Sequence, residues 1–254
     1  MQEFGSITEI AIVAIASMII AIVASRQKIL DLGGALLSFV ICFVVGTLAH
    51  WSWFVLLLIF VAGSYLATRF AFRYKMYIGV QEGIEGTRSE TNVISNGSIP
   101  SLVAILYFFE MITVEEAIVG FTTSLAVAAA DTIASEIGVL GGDAVLITSP
   151  SKRVPPGTNG GITVIGTVSA LLSSICMTFI SLIIIFAVDF GNFSEVFEMI
   201  FVVIPAILGF VGCQIDSVLG ATLENRGIIG KGGVNFVSIG ISTVISIGIF
   251  NYLY

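Results

Sequence analysis

The chain has 254 residues, is 57% hydrophobic and 11% charged, and carries a formal net charge of −7 with a mean hydropathy of +1.08. A soluble domain carries about 25% charged residues, so these values exclude a water-exposed globular surface. With a single histidine, neither a zinc site nor a Ser-His-Asp triad has its parts, and no nucleic-acid partner is expected.

Apolar runs of about 18 or more residues mark membrane-spanning helices. In chain order they fall at 7–25, 30–49, 51–69, 93–109, 113–130, 162–188, 199–219 and 233–253. Runs such as Ile175 to Val188 lack the every-second-residue alternation of a membrane barrel. The prediction is an all-α polytopic bundle of about eight transmembrane helices, a single integral-membrane domain over 1–254. The first run has an acidic flank (Glu3, Glu9) and reads as a retained helix rather than a signal peptide. His50, beside Trp51 and Trp53, reads as an interfacial anchor. Cys42, Cys176 and Cys213 lie inside apolar runs and read as core thiols, not disulfides or metal ligands.

Threading the spans with both termini outside puts the loops around 26–29, 70–92, 131–161 and 220–232 in the cytoplasm. All ten Lys and Arg residues then fall on that side. The opposite side holds acids: Glu3, Glu9, Glu110, Glu115, Glu116, Asp189, Glu195 and Glu198. That is the positive-inside pattern, and it puts any active site at the cytoplasmic face of a cell membrane.

Four polar clusters gather on the same side. The first, 86–97, offers Arg88, whose planar fork suits oxyanions, and Asn92 and Asn96, four apart and so on one helix face. Capping of the fourth span by Thr91 or Asn92 is the alternative use of this stretch. The second, Asp131 to Gly138, places Asp131, Ser135 and Glu136 beside an alanine-rich span end. Carboxylates near hydrocarbon are costly and usually functional, and Mg²⁺ takes one or two of them together with substrate phosphates. Pairing with a nearby cation would also account for the acids.

The third cluster is Lys152-Arg153-Val154-Pro155-Pro156-Gly157-Thr158-Asn159-Gly160-Gly161. Two cations and several glycines are what a loop needs to wrap its N–H groups around phosphate oxygens; a solvated connection is the plainer alternative. Walker A spacing is absent, which excludes a P-loop ATPase. The fourth holds Asp216-Ser217 and runs on to Glu224 and Arg226. Asp216-Ser217 echoes Asp131-Thr132, and glycine-containing loops follow both. The echo fits an internal duplication, or two similar helix ends arising by coincidence. Carboxylates for a metal with cations for oxyanions form the inventory of phosphoryl or nucleotidyl transfer.

The stretches Asn92-x-x-x-Asn96-Gly97, Asp131-Thr132-x-Ala134-Ser135-Glu136-x-Gly138, Pro156-Gly157-Thr158-Asn159-Gly160-Gly161-x-Thr163 and Asp216-Ser217-x-x-Gly220-Ala221-Thr222 resemble the integral-membrane prenyl-phosphate kinase family. The resemblance covers nearly the whole chain. The Asp131 stretch is also distantly similar to dolichol kinases and CDP-lipid synthases. What the resemblance implies is Mg²⁺-dependent transfer of the γ-phosphate of CTP to an isoprenoid monophosphate (phytyl, geranylgeranyl or farnesyl phosphate). It assigns Asp131, Glu136 and Asp216 to metal or acceptor positioning, with Glu224 as a further metal ligand. Lys152, Arg153, Gly157, Thr158, Asn159, Gly160, Gly161 and Arg88 would hold the nucleotide phosphates, and Asn92, Asn96 and Ser135 the acceptor. A cytidylyltransferase making a CDP-lipid would use the same ligands, and a transporter would suit repeated halves. Small residues at 120–138 and 160–170 suit helix packing within one chain or in a homodimer.

Overall fold

The computed structural model describes residues 5–83, 85–189 and 199–254. Among them the long helices are α1 (Ile7–Arg26), α2 (Leu32–Leu48), α3 (Trp51–Arg69), α5 (Glu90–Phe108), α6 (Val114–Gly138), α7 (Val164–Asp189), α8 (Ile200–Leu219) and α9 (Lys231–Leu253). A short helix, α4 (Phe72–Tyr77), lies between α3 and α5. Each predicted span thus falls on one long helix of an integral membrane protein. Six helical segments are both long and apolar enough to cross a membrane. Of the others, α2 is an apolar helix of 17 residues, and α5 carries Asn92, Asn96 and Pro100. Glu3, Glu195 and Glu198 lie outside the described residues.

Helix starts follow local chemistry. Ser6 and Glu9 form a capping box on α1, and Thr113 and Glu116 form another on α6. His50 caps α3, its Nδ1 accepting from the Ser52 N–H at 3.3 Å. The centre of the bundle is α6, packed against α3, α5, α7, α8 and α9. Its small residues, among them Gly120, Ala126, Ala128 and Ala130, are buried inside one chain and let neighbouring backbones approach. A Cβ on Gly138 would come 3.2 Å from Gly166 Cα, which marks how closely α6 and α7 cross. Residues 120–128 are therefore buried within the chain.

Two segments depart from expectation. The sixth helix continues to Gly138 instead of ending at 130, so Asp131 lies about 10 Å inside its end at 1.5 Å per residue. The following connection holds a three-stranded antiparallel sheet, β1 (Ala144–Leu146), β2 (Ser149–Val154) and β3 (Gly161–Ile162), in the order β2-β1-β3. After α8 the chain widens into a π-helical turn, Gly220–Glu224.

The basic ends of the helices are tied together. Lys28 pairs with Glu85 at 2.6 Å, Leu30 bridges to Arg88, and Lys231 pairs with Glu82 at 3.0 Å. The Asn225 amide donates to the Asn159 carbonyl at 3.3 Å. All four basic-side connections meet in these contacts, and that end carries the site.

Candidate active site

A cavity of about 430 Å³ opens at the basic end. Its floor is Asp131, on α6, and Asp216, on α8; its walls include Ser135, Glu136, Glu224 and Lys231. One side is the glycine loop, Pro156 to Thr163, and another is the segment Gly79 to Glu82. Residues predicted from separate parts of the chain, Asp131, Ser135, Glu136, Gly157 to Gly161, Asp216 and Glu224, therefore share one chamber.

The two aspartates line one cavity, and each feels the other's charge. Each is also held by α9: the Asn235 amide donates to Asp131 Oδ2 at 3.3 Å, and the Ser238 hydroxyl to Asp216 Oδ2 at 2.9 Å. Two carboxylates sharing a buried site repel unless a proton or a cation lies between them. Mg²⁺ needs one or two protein carboxylates and fills its octahedron with water and phosphate oxygens, so this pair fits. Among the described residues no three His, Cys, Asp or Glu side chains converge as a full metal cage.

Glu136 has a different place. Its Oε1 accepts from the Thr68 hydroxyl at 2.6 Å and its Oε2 from the Lys75 ammonium at 2.5 Å, with Arg88 Nη2 3.6 Å away. Lys75 is fully buried and also donates to the Ala67 carbonyl at 3.0 Å. A carboxylate neutralised by two cations is held as an anchor, an arrangement different from the metal-ligand role expected for Glu136. Arg88 lies beside that anchor, not in the cavity wall. Its Nη2 donates to Thr68 Oγ1 at 3.1 Å, and its buried Nε has no partner among the described residues.

The glycine loop is shaped for anions. Gly157 and Gly160 adopt φ of +79° and +73°, values open to glycine without strain. The loop closes on itself through Gly161 N–H to the Thr158 carbonyl at 2.8 Å. The N–H groups of Gly157, Asn159 and Gly160 make no hydrogen bond among the described residues. Three free amides in a glycine loop that lines a cavity are what an oxyanion cradle requires. The loop rests on α8: a Cβ on Gly160 would lie 2.6 Å from the Ser217 carbonyl, and one on Gly220 would lie 3.2 Å from Gly160 N.

Other predicted residues lie outside the wall. Lys152 and Arg153 point outward from β2; Arg153 is 82% exposed and 3.8 Å from Asp143. Asn92 reaches the cavity through Glu82, donating to its Oε1 at 3.0 Å. Asn96 is buried and donates to the Asn92 carbonyl at 2.8 Å, which bears out their shared face.

Sequence reasoning missed Lys75, Glu82, Asn235 and Ser238. A signal for the last two exists: Lys231, Asn235, Ser238 and Ser242 recur at helical spacing along one face of α9. Glu82 sits in a short loop between Gly79 and Gly83 and has no such signature. Burial raises its carboxyl, but the Lys231 charge, together with Arg88 and the Asn92 hydrogen bond, brings it below the ordinary glutamate range.

Comparison with known proteins agrees with the membrane architecture. An uncharacterized membrane protein of Methanocaldococcus jannaschii is 27% identical over 232 residues, covering 91% of this chain and 90% of the relative. Protein PGR of Arabidopsis thaliana is 27% identical over 263 residues, covering 89% and 90%. Protein VTE6, chloroplastic, of the same plant is 30% identical over 118 residues, covering 45% of this chain and 35% of its own. No solved structure matches. The family described as "Integral membrane protein DUF92" matches residues 15–242, and the chain belongs to it.

Proposed function

We propose that this protein transfers the γ-phosphoryl group of CTP to an isoprenoid monophosphate at the cytoplasmic membrane face, giving the diphosphate and CDP. The observation that carries the reading is the pair Asp131 and Asp216 facing the glycine loop in one cavity at the basic helix ends. The motif resemblance to prenyl-phosphate kinases supports it.

The free amides of Gly157, Asn159 and Gly160 would take triphosphate oxygens. Asp131 and Asp216 would hold Mg²⁺, which supplies charge neutralisation on the phosphoryl oxygens. Asn235 and Ser238 keep the two carboxylates aimed, and Lys231 offers a cation at the rim. An oxygen of the acceptor phosphate forms the new bond to the γ-phosphorus. The bond from that phosphorus to the bridging oxygen breaks, and CDP leaves with the electron pair. Such transfer depends on positioning and charge stabilisation, not on a covalent nucleophile.

The test is purified protein with Mg²⁺, γ-labelled CTP and geranylgeranyl phosphate in liposomes. Label is expected in the lipid diphosphate. Label released as pyrophosphate would replace this reading with cytidylyl transfer, and label retained in CTP across several acceptors would remove it.

A further inference from the structure

An apolar groove of about 360 Å³ runs between α3, α6 and α7, on the face of α6 roughly opposite Asp131. Its wall includes Phe60 and Gly63 from α3, Ile133 from α6, and Cys176, Met177 and Ile180 from α7. It carries no charged side chain, in contrast to the chamber. The two share the same stretch of α6: Ala129 and Ile133 face the groove, while Asp131, Ala134 and Ser135 face the chamber. On α7 the division repeats, with Thr167 and Ala170 in the chamber and Ser169 and Ser173 in the groove.

We propose that this groove seats the isoprenoid tail of the acceptor, its phosphate turned around α6 to Asp131. The assignment rests on the acceptor reading above. Along α7 the groove extends from Ser169 to Ile180, about 16 Å at 1.5 Å per residue. It begins level with the carboxylates and leads away from the basic end. Leu172, Cys176 and Ile180 are exposed, so the groove opens sideways and a tail can slide in from the bilayer.

Moving a tail from lipid into such a groove gains little hydrophobic energy, because lipid is equally apolar; shape decides. Gly63 creates the shape. A side chain there would project into open space, with no atom within 4 Å of its Cβ. Gly63 lies six residues, about 9 Å, from the basic end of α3, near the depth of Asp131. Ile180 lies sixteen residues, about 24 Å, from the start of α7, at the far end.

Cys176 supplies a native reporter, because it is exposed in the groove whereas Cys42 and Cys213 are buried. Alkylation of Cys176 by N-ethylmaleimide, read by mass spectrometry, should slow at least fivefold with saturating geranylgeranyl phosphate. Inorganic phosphate should leave it unchanged. Turnover should follow the same map. Gly63→Phe should raise KM at least tenfold for every prenyl phosphate, with KM for CTP within twofold. Ile180→Trp should do so for geranylgeranyl phosphate and spare geranyl phosphate. Wild-type turnover with no Cys176 protection, or an Ile180→Trp penalty equal for both chain lengths, would overturn the groove while leaving the transfer reaction intact. Absence of wild-type turnover with any acceptor would overturn the reaction itself.

Discussion

Asp131 and Glu136 stand five positions apart on one helix, yet their neighbours assign them opposite tasks. Asp131 meets a second carboxylate and one amide; Glu136 meets an ammonium, a hydroxyl and a guanidinium. Asp131→Asn should therefore lower turnover by about 10²–10³-fold, the scale of losing one electrostatic group in a site, with thermal stability unchanged. Glu136→Gln should do the reverse first. It strands the buried Lys75 charge, and breaking a buried pair costs about 3–5 kcal/mol. Detergent-solubilised melting curves beside initial rates separate the two outcomes. Asp131 and Asp216 were legible in the sequence because a carboxylate inside an apolar run demands an explanation. Lys75 was not, because a lysine in a polar connection is ordinary until a helix 61 positions later supplies its counter-ion.

At the level of elements, sequence patterning located every long helix but misplaced the end of α6. The polar residues after Ala130 looked like a loop, yet they extend the helix because Glu136, Thr132 and Ser135 face partners and a cavity, not lipid. The sheet in the α6–α7 connection had no legible pattern, since its strands have two to six residues. The Gly79–Glu82 wall is the element whose behaviour should depend on acidity. Lys231 is 56% exposed, so its pair with Glu82 is worth about 0.2–1 kcal/mol, a latch rather than a weld. With the folded-state pKa depressed, the latch is complete above the ordinary glutamate range and is lost as pH falls through the depressed value. Amide exchange of residues 79–83 should quicken below about pH 4, beyond the intrinsic pH effect, and Glu82→Gln should show the quicker exchange already at neutral pH.

For the whole molecule, the chamber is built from two helix pairs, α6–α7 and α8–α9. In each pair an acid, Asp131 or Asp216, lies inside the end of the first helix. The basic residues ring the same end, so charge and chemistry share one address. From the positive-inside rule we propose that this address faces the cytoplasm. A cysteine placed at the exposed Arg153 should react with an impermeant maleimide in inside-out vesicles, and one at Tyr254 in right-side-out cells. The opposite pattern would invert the topology.

The Lys75–Glu136 pair also sets a timetable for biogenesis. At about 5–20 residues per second, Lys75 leaves the ribosome about 3–12 seconds before its partner, given their separation of 61 residues. Until α6 arrives, an unpaired ammonium cannot afford burial and must wait at the aqueous boundary, where it adds to the charge that orients α3. One side chain would thus serve first as a topogenic signal and afterwards, drawn inward by Glu136, as the bolt that seats α4. A nascent chain arrested before α6 should leave α4 open to protease, and its later protection would time the closing of the chamber.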